Sequence, residues 1–318
     1  MIHQKGAIYT WNMRICSLLP SATEIIYALG LGDQLVGVSY ACDYPEDAAN
    51  KLVISRSVHQ NSHLSSEEID AIVRQARASG NPLYWIDADL LREAKPDMII
   101  TQELCEVCAI SAGSVFETAA QVLDYQPEIL TIRPSVLADI IQNVRIIGTA
   151  AGEAHRANAL ADSLESRIQR IKDDIPEINP RPKVLCLDWL DPLRNTGQWV
   201  PELVQIAGGE EGLAVVGGLS RELTWEEIVN YAPEYLMVMP CAFDPDRVRK
   251  EASEKLTNLK GWSELPAVKL DQVFFFDGRI PTRHGPRVVD VLEAIAEVLH
   301  PQRFRGISTS GVRVDNRE

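Results

Sequence analysis

The feature that most constrains this chain is the way its hydrophobic period changes along its length. Short apolar runs such as Ile15-Cys16-Ser17-Leu18-Leu19, Leu35-Val36-Gly37-Val38, Met98-Ile99-Ile100-Thr101 and Ile129-Leu130-Thr131-Ile132 alternate with segments of helical spacing. The same alternation returns with Lys183–Leu187, Tyr235–Met239 and Val273–Phe276. That is the pattern of an α/β protein with parallel sheets, seen twice. Between the two blocks, from Ser135 to about Asp174, there is no proline, and Gly148 and Gly152 are the two glycines. Apolar residues recur at Ile141, Val144, Ile147 and Ala151, then at Leu160, Leu164, Ile168 and Ile171, which is helical spacing. Forty helical residues would span about 60 Å, with the glycines as points of breakage. Pro176, Pro180 and Pro182 close the stretch.

The chain therefore reads as an extension over 1–13, a first α/β lobe over 14–134 and a backbone helix over 135–178. A second α/β lobe follows over 179–300, and a polar, basic tail over 301–318 is expected to fray. Local signals fix several helix starts. Ser21 with Glu24 makes a capping box after Pro20, and Ser65 opens a helix to Ala78 with acids in its first turn. Others start after Pro201, at Thr224, at Asp244 and at Pro286.

Composition narrows the class. Forty-five acidic against 31 basic residues leave a net charge of −14, which argues against wrapping nucleic acid or resting on anionic lipid. No run approaches the roughly 18 apolar residues of a membrane span. The opening Met1–Gly6 lacks the pattern of a secretory signal, and Met13, directly before the first strand, is an alternative start. Read as it stands, the chain is expected to be cytoplasmic; with an incomplete start, it is expected to be periplasmic or extracellular. A monomer is expected.

Several stretches resemble the solute-binding proteins of cobalamin and iron-chelate importers, the class III type with a helical backbone. They are Arg14–Glu24, Val36–Ser39 followed by Asp43-Tyr44-Pro45, Ala94–Ile100, Ala232–Leu236 and His284–Val289. Each motif is weak alone, but their order and spacing run from about residue 14 to 300, and the cobalamin-binding branch is the most similar. The resemblance implies two lobes joined by one long helix. It also implies a cobalamin-like corrinoid or iron chelate held between the lobes without chemistry, and an ABC permease as partner. In that family an acid at a helix start on each lobe docks on the permease, and the matching positions are Asp89 and Glu226. Asp89 is shorter than the usual glutamate, and acids in a first helical turn are favoured by the dipole in any case.

Ligands of open α/β sheets sit outside the carboxyl ends of the strands, so the residues following each strand are the candidates. They include Tyr40, Cys42 and Tyr44, then Cys105 and Cys108, then Asp188 and Trp189. Cys241 and Phe243 follow the next strand, and Arg283 and His284 the last. Tyr40, Tyr44, Trp189, Trp199 and Phe243 offer flat faces to a macrocycle, with Trp225 beside Glu226 less placed for it. Arg283 and Arg287 flank His284 and favour its neutral, metal-ligating form. His59 and His63 read as solvated loop residues.

Cys105-Glu106-Val107-Cys108 has the gap that lets two thiolates reach one tetrahedral ion, with Cys42 and Cys241 to complete the set. Three readings compete for these thiols: small side chains at loop bases, a zinc or iron–sulfur site, and a redox or nucleophilic Cys105. The metal site, in a cytosolic metalloprotein, is the rival to the carrier. No phosphate loop and no Gly-x-Ser-x-Gly elbow is present, so an enzyme is not expected.

Overall fold

A computed structural model describes residues 12–58, 64–102, 110, 112–307 and 314–316. In chain order the first elements are β1 (Ile15–Ser17), α1 (Pro20–Ala28), β2 (Leu35–Val38), β3 (Ser55–Ser57), α2 (Ser66–Ala78) and β4 (Tyr84–Ile86). α3 (Ala88–Ala94), β5 (Met98–Gln102), α4 (Ala112–Val122) and β6 (Glu128–Ile132) follow. Two successive helices, α5 (Leu137–Ala150) and α6 (Ala154–Asp174), lead to β7 (Val184–Leu190), β8 (Leu193–Asn195), α7 (Val200–Ile206), α8 (Trp225–Tyr231) and β9 (Tyr235–Val238). The chain ends with α9 (Pro245–Lys255), α10 (Pro266–Lys269), β10 (Val273–Phe276), α11 (Val288–Leu299) and β11 (Val314–Asn316).

Two compact units form. Unit 1 comprises residues 1–56 and 84–131; unit 2 comprises residues 57–83 and 132–318. Unit 1 is built on a sheet of order β2-β1-β5-β6, with β1 parallel to both β2 and β5. Ile15, Cys16, Ile99 and Ile100 are fully buried in it, because a central parallel strand is covered on both faces. Unit 2 is built on β11-β10-β9-β7-β8, with β7, β9 and β10 mutually parallel and the two edge strands antiparallel. Its main cluster joins Leu185, Leu187, Leu236, Val238 and Val273 of the strands to Ile228, Val248 and Ala252 of the helices. Each such buried aliphatic side chain contributes about 1.5–3 kcal/mol.

Four sequence expectations change. The stretch 135–178 is not one helix but two, broken at Ala151-Gly152-Glu153. Gly152 has φ +77°, and the Ala151 and Gly152 N–H groups donate to Ile147 and Thr149, so a left-handed glycine terminates α5. α6 alone, 21 residues long, would span about 31 Å. α5 and α6 lie against each other as a hairpin, with Arg145 reaching both Asp162 and Glu165 at 2.9 Å.

The capping box of Ser21 and Glu24 is replaced by a helix that begins two residues earlier. Leu19 is the N-cap without a side-chain bond, Pro20 is the first residue, and Ser21 and Glu24 are buried inside the first turn. At Ser65, read as a helix start, a capping box forms with Glu68. α2, read as part of the first lobe, packs with unit 2. The tail read as frayed places Val314–Asn316 against β10.

Candidate functional site

The two units present their strand ends separately. In unit 1 the carboxyl ends of β1 and β2 carry small polar groups. Ser17 Oγ donates to the Leu19 carbonyl at 2.9 Å, and Thr23 Oγ1 donates to Ser17 Oγ at 2.8 Å. The Cys42 sulfur lies 3.1 Å from Thr23 Oγ1 and 3.2 Å from Ser39 Oγ, buried among those hydroxyls. Tyr40 stacks on Tyr84 with centroids 6.0 Å apart and planes at 17°, while the Ser55 hydroxyl accepts its backbone N–H. Tyr44 is 45% exposed, so its ring is open to contact.

In unit 2 the strand ends carry charge. Asp188 follows the core of β7; its carboxylate accepts from Ser220 Oγ at 3.1 Å, and its backbone carbonyl accepts from the Cys241 N–H. Desolvation pushes its carboxyl up to about 7, against the Ser220 bond and the Arg194 charge, so it changes protonation state near neutrality. After β10, Asp277 holds Arg279 in a bidentate pair at 2.8 and 2.6 Å. Gly278 permits this turn, because a Cβ there would lie 1.8 Å from the Pro240 carbonyl.

The aromatic candidates of unit 2 divide. Trp189 is half-buried, donates Nε1 to the Asp191 carbonyl, and meets Phe243 edge-on at 5.5 Å. Phe243 is only 1% exposed and the Arg247 guanidinium covers its ring face at 3.3 Å, so this ring is packed within the unit. Trp199 is 2% exposed, donates Nε1 to the Pro281 carbonyl and stands edge-on to His284. His284 is likewise buried, and burial pushes its imidazole down to about 4. The neutral ring expected from its arginine neighbours thus has desolvation as its cause. Arg283 stands half-buried in the same turn, its N–H donating to the Ile280 carbonyl. Trp225 stacks on Trp262.

Cys105, Cys108, His59 and His63 lie outside the described residues. Among the described residues no group of three or more His, Cys, Asp or Glu is arranged to hold a metal ion. Cys16 and Cys186 are fully buried in strands, and burial raises both thiols above their ordinary range. Cys241 is half-buried at the end of β9.

Asp89 and Glu226 are both exposed first-turn acids. Asp89 pairs with Arg92 at 2.6 Å within α3, whose N-cap is Asp87. In α8 the neighbouring Glu227 closes the capping box on Thr224, leaving Glu226 pointing outward.

Sequence reasoning missed one loop. Gly217 and Gln198 are tied by backbone bonds, Gln198 N–H to the Gly218 carbonyl at 2.5 Å and Gly217 N–H to the Gln198 carbonyl at 2.8 Å. The loop brings Ser220 to Asp188 and leaves Val215 and Leu219 more than 70% exposed. Its signal was the Val215-Val216-Gly217-Gly218 step, two glycines inside an apolar run with no helix to end.

These two α/β units, with their parallel sheets and the α6 helix, have the architecture of helical-backbone solute-binding proteins. The chain belongs to the periplasmic binding protein family, whose model matches residues 15–280. It is 26% identical over 298 residues to an uncharacterised ABC transporter substrate-binding lipoprotein, YvrC, of Bacillus subtilis, covering 92% of this chain and 81% of the relative. It is 23% identical over 289 residues to the vitamin B12-binding protein of Vibrio parahaemolyticus, covering 89% and 88%. Among solved structures, a periplasmic heme-binding protein of Pseudomonas aeruginosa superposes with TM-score 0.71 at 16% identity, over 96% of this chain and 98% of the other. The vitamin B12-binding protein BtuF of Vibrio cholerae gives 0.62 at 22%, over 94% and 98%. These likenesses show the fold. The chain is a substrate-binding protein in class, and among the described residues no helix is long and apolar enough to cross a membrane.

Proposed function

We propose that the protein is the non-enzymatic substrate-binding component of an ABC importer and takes up a large metal complex, a cobalamin-like corrinoid or an iron chelate such as heme or a ferric hydroxamate. The observation that carries this reading is the aromatic and polar groups at the strand ends: half-buried Tyr40 and exposed Tyr44 in unit 1, half-buried Asp188 and Trp189 in unit 2. Flat rings bind a macrocycle face, and a carboxylate orients amide or hydroxyl groups on its rim. Relatives named for vitamin B12, together with structural neighbours named for heme, support the ligand class. Asp89 and Glu226 are the acids that would meet a permease, and delivery to one places the protein on the outer side of a membrane. Trp199, Phe243, Arg283 and His284 then act as the packed support of that surface.

Cyanocobalamin, hemin and a ferric hydroxamate titrated against the protein, followed by tryptophan fluorescence and calorimetry, test this. One of them is expected to bind with Kd below about 1 µM, equivalent to about −8 kcal/mol. Trp189→Ala and Tyr40→Ala are each expected to weaken that ligand about tenfold, and Cys105→Ser with Cys108→Ser to leave it unchanged. Binding of none of the three, or loss of binding with the cysteine pair alone, overturns the reading.

A further inference from the structure

The described residues 64–83 lie in the sequence between the two stretches of unit 1, yet they belong to unit 2. The helix of this segment, α2, is seated mainly by polar groups. The Ser66 N–H donates to the Glu251 carboxylate at 2.5 Å, which sets a negative charge at the helix N-terminus. Glu67 pairs with Lys255 at 2.8 Å, and Asp191 holds that same ammonium at 2.7 Å. Asp70 faces Arg194 at 3.6 Å, and Arg247 donates to the Leu64 carbonyl.

The apolar share of the seat is small. Ile69 is the α2 residue that packs on the main cluster of unit 2. Three of the 13 residues of α2 are buried, against ten of the 12 in α11, a helix integral to the same unit. The Glu67–Lys255 pair is exposed on the Glu67 side and contributes about 0–1 kcal/mol that weakens with salt, whereas the Ser66–Glu251 bond is buried and is screened much less. A helix held this way sits at the low end of the local stability scale.

We propose that α2 is a releasable ionic latch, clipped within unit 2 by Glu67 and Asp70 and let go when those charges are screened or displaced. Its release also frees Arg247 from the Leu64 carbonyl, beside the Phe243 ring that this guanidinium covers.

Amide hydrogen exchange on the full chain tests the latch peptide by peptide. Raising salt from about 0.01 M to about 1 M shortens the screening length from about 30 Å to about 3 Å. The expected result is a rise of about tenfold in exchange across residues 66–78, with β7 and β9 unchanged. Lys255→Glu is expected to give the same rise at low salt, and the exchanged pair Glu67→Lys with Lys255→Glu to restore most of the protection. The proposal is overturned if residues 66–78 respond neither to salt nor to Lys255→Glu, or if β7 and β9 open together with them. Should Lys255→Glu fail to fold, the salt series on the unmodified chain decides alone.

Discussion

Unit 1 and unit 2 approach a central strand by the same local device and then part company. In unit 1, α3 ends at Lys95 with φ 43°, Pro96 follows, and the N–H groups of Asp97 and Met98 both donate to the Arg14 carbonyl. In unit 2, α8 ends at Ala232 with φ 53°, Pro233 follows, and the N–H groups of Glu234 and Tyr235 both donate to the Lys183 carbonyl. Even the acids match, Asp97 accepting the Arg14 N–H at 2.8 Å and Glu234 the Lys183 N–H at 3.4 Å. Beyond this step, unit 1 fills its strand ends with neutral hydroxyls and a thiol, Ser17, Thr23, Ser39 and Cys42. Unit 2 buries carboxyl groups: Glu211 against the Cys186 N–H, Asp277 with Arg279, and Asp290 and Glu293 with Arg167. One scaffold step thus serves two electrostatic styles, and unit 2 should answer to pH and charge where unit 1 does not.

The strongest break of that contrast is Arg167→Met. Asp290 and Glu293 are 6% and 4% exposed, and without the guanidinium two carboxylates on α11 would be left buried and unpaired. Unit 2 is expected to lose about 3–5 kcal/mol, read as faster amide exchange in β7 while β1 is unmoved. Arg145→Met, which removes the exposed pairs of the α5–α6 hairpin, is expected to cost under about 1 kcal/mol.

Next comes pH. Burial raises Glu211 to about 8, against the bonds from the Cys186 and Leu213 backbone, so its folded-state value exceeds the ordinary 4.5. Its stabilising contribution is full below about pH 4.5 and is lost as pH rises through about 8. Between pH 5 and pH 8 unit 2 should weaken on the order of 3 kcal/mol, and Glu211→Gln should flatten that slope. The slope that remains after Glu211→Gln is expected to be the share of Asp188, whose carboxyl burial also raises to about 7; an unchanged slope would remove Glu211 as a cause.

The glycines sharpen the contrast in packing. At Gly278 a Cβ meets the backbone at Pro240, 1.8 Å away, whereas at Gly37 it meets the Cys16 sulfur at 2.8 Å and Ile54 at 3.1 Å. Side chains yield where backbone cannot, so Gly278→Ala is expected to cost about 3 kcal/mol and Gly37→Ala about 1 kcal/mol in urea unfolding. The smallest effect tests the shared step. Lys95→Gly and Ala232→Gly relieve the same left-handed strain, and each is expected to stabilise its own unit by up to about 1 kcal/mol. Unequal gains would mean that the two steps are alike in geometry only.

Much of this was legible from the residues. The strands at 35–38, 98–101, 235–239 and 273–276 announced themselves, because a buried parallel strand needs a continuous apolar run. The helix starts at Ser65 and Thr224 were also readable, since a capping hydroxyl acts on neighbours two or three residues on, although the box read at Ser21 did not form. Short, half-exposed elements were not. β3, β4 and β8 have three residues each and exist because a partner strand is present, which no local window reports. The strand-end residues were placed by topology alone, yet Trp199 gave no sign of being covered by His284, because that contact spans 85 residues.

What the sequence determined by itself is the class: two α/β blocks, the helical stretch joining them in the chain, and the proline steps that lead into each central strand. These rest on periodicity and local backbone chemistry, which act over a few residues. Tertiary structure decided that α2 leaves its own block for unit 2. It also decided that Asp188 and Glu211 hold their protons to near or above neutrality. Each depends on what surrounds a group in space, since desolvation and charge pairing are set by neighbours distant in the chain.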